Sequence, residues 1–111
     1  MGSNSKRYVQ FSLYRYFWKI IMEPKITRYP SGNIKYQEYY LNGLWHRNDG
    51  PAWIGYYENG VIQYQGYFIN GKEIPVTIIQ TMIKELGIPD DYRQWDDEQK
   101  LMFQFHFLST F

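Results

Sequence analysis

The sequence has no cysteine, and it has no apolar run long enough to cross a bilayer. Without cysteine there is no disulfide framework, no thiolate metal site and no thiol nucleophile. The longest apolar stretch is residues 8–22 (YVQFSLYRYFWKIIM), where Gln10, Arg15 and Lys19 interrupt the pattern, whereas about 20 consecutive apolar residues are needed for a span. No small-residue cleavage site follows it, so secretion is not expected. The opening Met1-Gly2-Ser3-Asn4-Ser5 fits a myristoylation signal only until Lys6 stands where Ser or Thr is required. Charge of one sign is missing too: a formal net charge of +1 is not that of a general nucleic-acid binder. The glycines form neither G-x-G-x-x-G nor G-x-x-x-x-G-K-[ST], so nucleotide binding has no support.

What is present is aromatic. Twelve tyrosines, seven phenylalanines and four tryptophans in 111 residues exceed the needs of one small core. Surplus aromatics cover a half-exposed sheet or form a contact surface. The small net charge is unevenly spread: +5 over residues 1–28, −1 over 29–75 and −3 over 76–111. The simplest account is solvated faces on separate elements.

The central stretch repeats itself. Residues 29–43 (YPSGNIKYQEYYLNG) match residues 57–71 (YENGVIQYQGYFING), 28 positions on, with ten of fifteen positions identical or alike in kind. Internal repeats of this kind decide architecture. Gly32, Gly43, Gly60 and Gly71 mark turns in Ser-Gly or Asn-Gly pairs, because glycine accepts the positive φ that hairpins need. Ile34, Tyr36 and Tyr40 alternate along one strand face, as do Ile62, Tyr64 and Phe68. Glu38 and Gly66 interrupt that face at equivalent places, which predicts a bulge or bend. Leu44-Trp45-His46 and Pro51 to Tyr57 read as two further strands, turning at Arg47-Asn48-Asp49-Gly50.

The pattern Y-x-N-G-x-I-x-Y-x-x-Y-x-x-N-G-K, with Asn42-Gly43-Leu44-Trp45-His46-Arg47-Asn48-Asp49-Gly50-Pro51-Ala52, resembles the MORN family of repeats. The variant it resembles, N-G-x-x-H-R-x-D-G-P-A, occurs in proteins of large DNA viruses and phages and in bacterial toxin–antitoxin-type proteins. The resemblance covers about 45 residues. It implies extended β-sheets used as scaffolds and docking surfaces, with the ends of so short an array covered by flanking segments.

After Ile74-Pro75 the apolar period becomes helical, with Val76, Ile79, Met82, Ile83 and Leu86 on one face and Gly87 and Pro89 closing it. Asp90 to Trp95 reads as a turn or short helix, and Asp96 with Gln99 as a capping box opening a helix over about 97–108. That helix is apolar nearly all round, the mark of full burial or of an interface.

Catalytic chemistry has little to stand on. His46, Arg47 and Asp49 form the sole compact polar cluster. Asp49 orienting His46 as a base is one reading; a turn at Asp49-Gly50, with Arg47 pairing to a carboxylate, is the simpler one. His106 has no second ligand at helical spacing, and the acids from Asp90 to Glu98 lack the pattern of a calcium loop.

The expectation is one α+β domain. An antiparallel meander of five to six strands, built from two repeats of 28 residues over 29–74, follows a flexible start (1–7) and an N-terminal cap, helix or strand (8–28). Two C-terminal helices complete it over 75–111. The chain reads as a non-enzymatic protein-binding module without cofactor or metal, probed through Phe103, Phe107, Phe111, Tyr39, Tyr67 and Trp53. Its expected partner is another protein or a second copy of itself, in a host cytoplasm or a virion. A viral or phage-encoded inhibitor of host defence or a small virion component is the favoured role. An antitoxin or immunity-like protein and a peripheral membrane module are the alternatives.

Overall fold

Asn42-Gly43 and Asn70-Gly71 both take positive φ at both residues, 53° and 79° in the first pair and 49° and 81° in the second. That is the type I′ geometry, whose twist matches the twist of paired strands. These turns set the register of the fold in the computed structural model, which describes residues 23–111. The flexible start expected at 1–7 and residues 8–22 of the cap expected over 8–28 lie outside the described residues.

Among the described residues seven strands run in chain order: β1 (Lys25–Arg28), β2 (Ile34–Glu38), β3 (Tyr40–Leu41), β4 (Leu44–Trp45), β5 (Trp53–Tyr56), β6 (Ile62–Ile69) and β7 (Lys72–Ile74). Helix α1 (Val76–Leu86), a 3-10 turn (Tyr92–Gln94) and helix α2 (Asp97–Thr110) follow. Strands β1-β2-β5-β6-β7 form one antiparallel sheet, and β3-β4 form a separate hairpin. The chain is therefore α+β, with two C-terminal helices on a sheet of repeated hairpins.

The 28-residue period holds in the hydrogen bonds. Tyr29 N–H donates to Asn33 O (2.8 Å) and Gly32 N–H to Tyr29 O (2.9 Å). Tyr57 N–H donates to Val61 O (2.8 Å) and Gly60 N–H to Tyr57 O (2.9 Å). Bulges fall at Thr27/Arg28 and again at Gly55/Tyr56. Strand β1 is thus the counterpart of β5, and the repeat begins at Lys25, inside the segment expected to be a cap. Lys-Ile-Thr-Arg and Trp-Ile-Gly-Tyr share only isoleucine, too little to reveal the kinship before the sheet is formed.

The interruption expected at Glu38 and Gly66 is where pairing changes partners. Residues 34–38 pair with β1 and β5, and past Tyr39 the chain leaves the main sheet as β3. Residues 62–66 pair with β5, and 67–69 with β7.

One sheet face carries the helices. Ile54, Tyr56, Tyr67 and Ile74 pack against Ile79, Met82 and Ile83 of α1 and Phe103 and Phe107 of α2. Ile54, Phe103 and Phe107 are fully buried, each worth roughly 1.5–3 kcal/mol relative to exposure. Helix α1 ends at Gly87 in the left-handed region (φ 67°). Helix α2 begins in a complete capping box, with Gln99 N–H donating to Asp96 Oδ1 (2.8 Å) and Asp96 N–H donating to Gln99 Oε1 (3.0 Å). Trp95 sets the rotation of α2: its indole N–H donates to Pro89 O (2.6 Å), and its ring lies 4.7 Å from Phe103.

The opposite face carries a row of rings. Trp53 stacks on Tyr64 at 4.3 Å and on Tyr36 at 6.1 Å, and Trp45 bridges Trp53 (5.8 Å) and Phe68 (4.9 Å). Tyr64 lies across Gly55, where a Cβ would stand 2.6 Å from the ring. Close approach of ring to backbone thus requires glycine there. Gly55→Ala is expected to cost about 1–3 kcal/mol in urea unfolding, the usual penalty of overpacking. In a Tyr64→Ala background the same change costs markedly less, because the ring it strikes is gone.

Candidate functional site

The polar cluster of the repeat insert folds inward. The Arg47 side chain is 9% exposed. Its Nε donates to Asp49 Oδ1 at 2.8 Å and its Nη1 to Pro51 O at 3.1 Å. The guanidinium lies 4.0 Å from the Tyr39 ring centroid and 5.3 Å from that of Tyr92. Gly50 is pressed against it: a Cβ there would sit 2.9 Å from Arg47 Cζ. Burial alone works against the charge, but Asp49 and the surrounding tyrosines hold the guanidinium above its ordinary pKa.

Hydroxyls extend the cluster across the core. Gln37 Nε2 donates to the Tyr39 hydroxyl (2.8 Å), and the Tyr56 hydroxyl donates to Gln37 Oε1 (2.9 Å). The Tyr56 and Tyr92 hydroxyls lie 3.4 Å apart. Burial pushes the Tyr67 and Tyr92 phenols well above the ordinary tyrosine range. Tyr39 and Tyr67, expected as partner contacts, are therefore core residues, 9% and 4% exposed. The bend at Tyr39 and the change of partner at Tyr67 turn both rings toward Arg47 and the helices.

Asp49 serves Arg47 and not His46. The His46 Nδ1 accepts from the Asn70 backbone N–H at 3.0 Å, so the first repeat caps the hairpin turn of the second. Burial lowers the His46 pKa from its ordinary 6.5. Two of the acids near the C-terminus are also engaged: Asp91 accepts from Arg93 N–H (3.0 Å) and pairs with its guanidinium, and Asp96 caps α2. Among the described residues no three His, Asp or Glu side chains converge as metal ligands.

The exposed apolar surface lies elsewhere. Phe103 and Phe107, expected at an interface, are 0% exposed and stack at 5.4 Å beneath the sheet. The other side of α2 presents Leu101 (65% exposed), Phe105 (79%) and Leu108 (53%), flanked by Met102 (39%) and Phe111 (46%). Phe111 thus stays at the surface, packed 5.0 Å from Phe107. Beside this ridge a shallow cleft of about 570 Å³ is lined by Leu86, Glu98, Leu101, Met102, Phe105, His106 and Ser109. His106 Nε2 stands 3.8 Å from Glu85 Oε2 at the rim. Trp53 is half-buried within the ring row of the open sheet face.

Of Phe103, Phe107 and Phe111, only Phe111 is exposed, and the larger exposed apolar stripe of this helix is Leu101, Phe105 and Leu108. Leu101, Phe105 and Leu108 recur at four and three residues, as Phe103, Phe107 and Phe111 recur at four. Period alone does not say which stripe faces in; the Trp95 anchor does.

Among the described residues no helix is long and apolar enough to cross a membrane. Comparison with protein-family models, curated proteins and solved structures finds no match to the chain.

Two outcomes test the cluster as a structural clamp. Arg47→Met, which strands Asp49 and the Pro51 carbonyl, is expected to cost about 2–4 kcal/mol in urea unfolding. Arg47→Lys recovers less than half of this, because an ammonium neither stacks nor forks as a guanidinium does. For His46, the unfolded chain takes up its proton near pH 6.5 while the folded one resists it. Stability present above that pH is thus lost as pH falls through it and below. His46→Asn, whose side-chain oxygen can accept from Asn70 N–H at any pH, should flatten that part of the stability–pH profile.

Proposed function

We propose that the protein is a non-enzymatic protein-binding module whose contact surface is the outer face of α2. The observation that carries this reading is the exposure of Leu101, Phe105 and Leu108 on a helix whose other face is fully packed. A helix apolar on both sides, with one side already buried, presents the other to a partner. The polar groups that catalysis would draw on point the same way: Arg47 and Asp49 are tied to each other and His46 to a backbone N–H. The repeat resemblance favours a viral or phage-encoded protein, acting as an inhibitor of host defence or as a small virion component.

The test compares affinity capture by the native chain with capture by a Phe105→Glu/Leu108→Glu chain, both with matching thermal unfolding. A protein recovered by the first and lost with the second is expected. Equal recovery by both would move the contact to another surface, and no specific recovery would count against the proposal as a whole.

A further inference from the structure

The occupant of the α2 face can be named from its shape and charge. We propose that it is a second copy of this chain, packed antiparallel about a two-fold axis that passes beside Phe105. This rests on the reading of the α2 face as a protein-contact surface and specifies what meets it.

A two-fold interface must be self-complementary, because one patch supplies both sides. The α2 face has both parts of such a fit. Phe105, 79% exposed, projects from the side opposite Phe103 and Phe107, and the cleft of about 570 Å³ runs beside it between Leu86, Met102 and Ser109. The ridge of one copy can enter the cleft of the other, and the reverse follows by symmetry. Glu98, Leu101, Phe105 and Leu108 are spaced three, four and three residues apart, the spacing of a helix-pairing seam.

Charge selects the direction. Helix α2 carries Asp97 and Glu98 in its first turn and no basic residue in its last. Parallel packing would bring Asp97 and Glu98 against their own copies. Antiparallel packing separates them, sets each toward an end of the partner helix that carries no acid, and opposes the helix dipoles.

Area sets the strength. A phenylalanine ring brings about 150–250 Å² to an interface, so the five exposed side chains offer on the order of 600 Å² per copy. Two copies then bury at most about 1,200 Å², the lower limit for a specific association. Area does not set affinity, but an interface at this lower limit belongs with weak, reversible associations.

The experiment uses the full chain. Sedimentation velocity from about 1 to about 500 µM should show mass rising from 13.5 kDa toward twice that value across the range. Phe105→Glu should weaken association by more than about 100-fold, while Tyr64→Glu, on the open sheet face, should leave it unchanged. The absence of cysteine makes geometry testable with single introduced thiols. A bis-maleimide reaching about 10 Å, the spacing of packed helices, should join Gln104→Cys to its own copy. It should not join Glu98→Cys, whose two sites lie about 20 Å apart at 1.5 Å rise per residue. A monomer throughout, loss of association with Tyr64→Glu instead of Phe105→Glu, or cross-linking at 98 and not at 104 would overturn the proposal. A monomeric chain that still captures another protein through α2 refutes the dimer alone and leaves the wider proposal standing.

Discussion

The fold depends on one buried cation. Arg47 lies between Tyr39 of the first repeat and Tyr92 of the C-terminal turn, with Asp49 and the Pro51 carbonyl closing around it. Remove the guanidinium and three parts lose a common neighbour: the bend after β2, the insert between repeats and the 3-10 turn that leads into α2. A carbon side chain of equal length would fill the volume and leave the acceptors unmet. The main chain at Arg47 is committed as well, its N–H donating to Phe68 O at 3.2 Å. Stacking, ion pairing and strand pairing therefore converge on a single residue, and their geometry explains why Gly50 must lack a side chain.

That arrangement also accounts for much of the aromatic excess. Tyr39 and Tyr92 pack against the cation, and their hydroxyls meet Gln37 and the Tyr56 hydroxyl. Tyrosine suits this place because its ring accepts a cation and its oxygen joins a network. Tyr36, Trp45, Trp53, Tyr64 and Phe68 tile the opposite face, resting on Gly55 and Gly66. The aromatics sort into a polar core and a sheet cover, and what remains unpartnered among the described residues is chiefly the aliphatic and phenylalanine ridge on α2.

Periodic and local features were legible in the sequence; features made by distant residues were not. The turns at Gly32, Gly43, Gly60 and Gly71, the α1 terminator at Gly87 and the Asp96–Gln99 box follow from neighbours in the chain. The kinship of β1 with β5 shows only when both bulges and both turns are seen in register. The direction faced by Tyr39 and Tyr67 depends on where pairing changes partner, which no residue announces. The same holds for α2, where two apolar stripes compete and Trp95, lying outside the helix, decides between them. In the insert, the turn pattern pairs Arg47 with a carboxylate, and Asp49 is that carboxylate; the stacking on Tyr92, 45 positions away, is encoded in no local pattern.

The 28-residue equivalence reaches one step further than the hairpins. The position that matches Arg47 in the second copy is Pro75. Where the first copy has an N–H to extend the pairing and a cation to fasten the next unit, the second has a ring with neither. Pro75, at φ −54°, opens α1 instead. Proline here acts as punctuation: it ends the series after two units and turns the chain from adding strands to covering them.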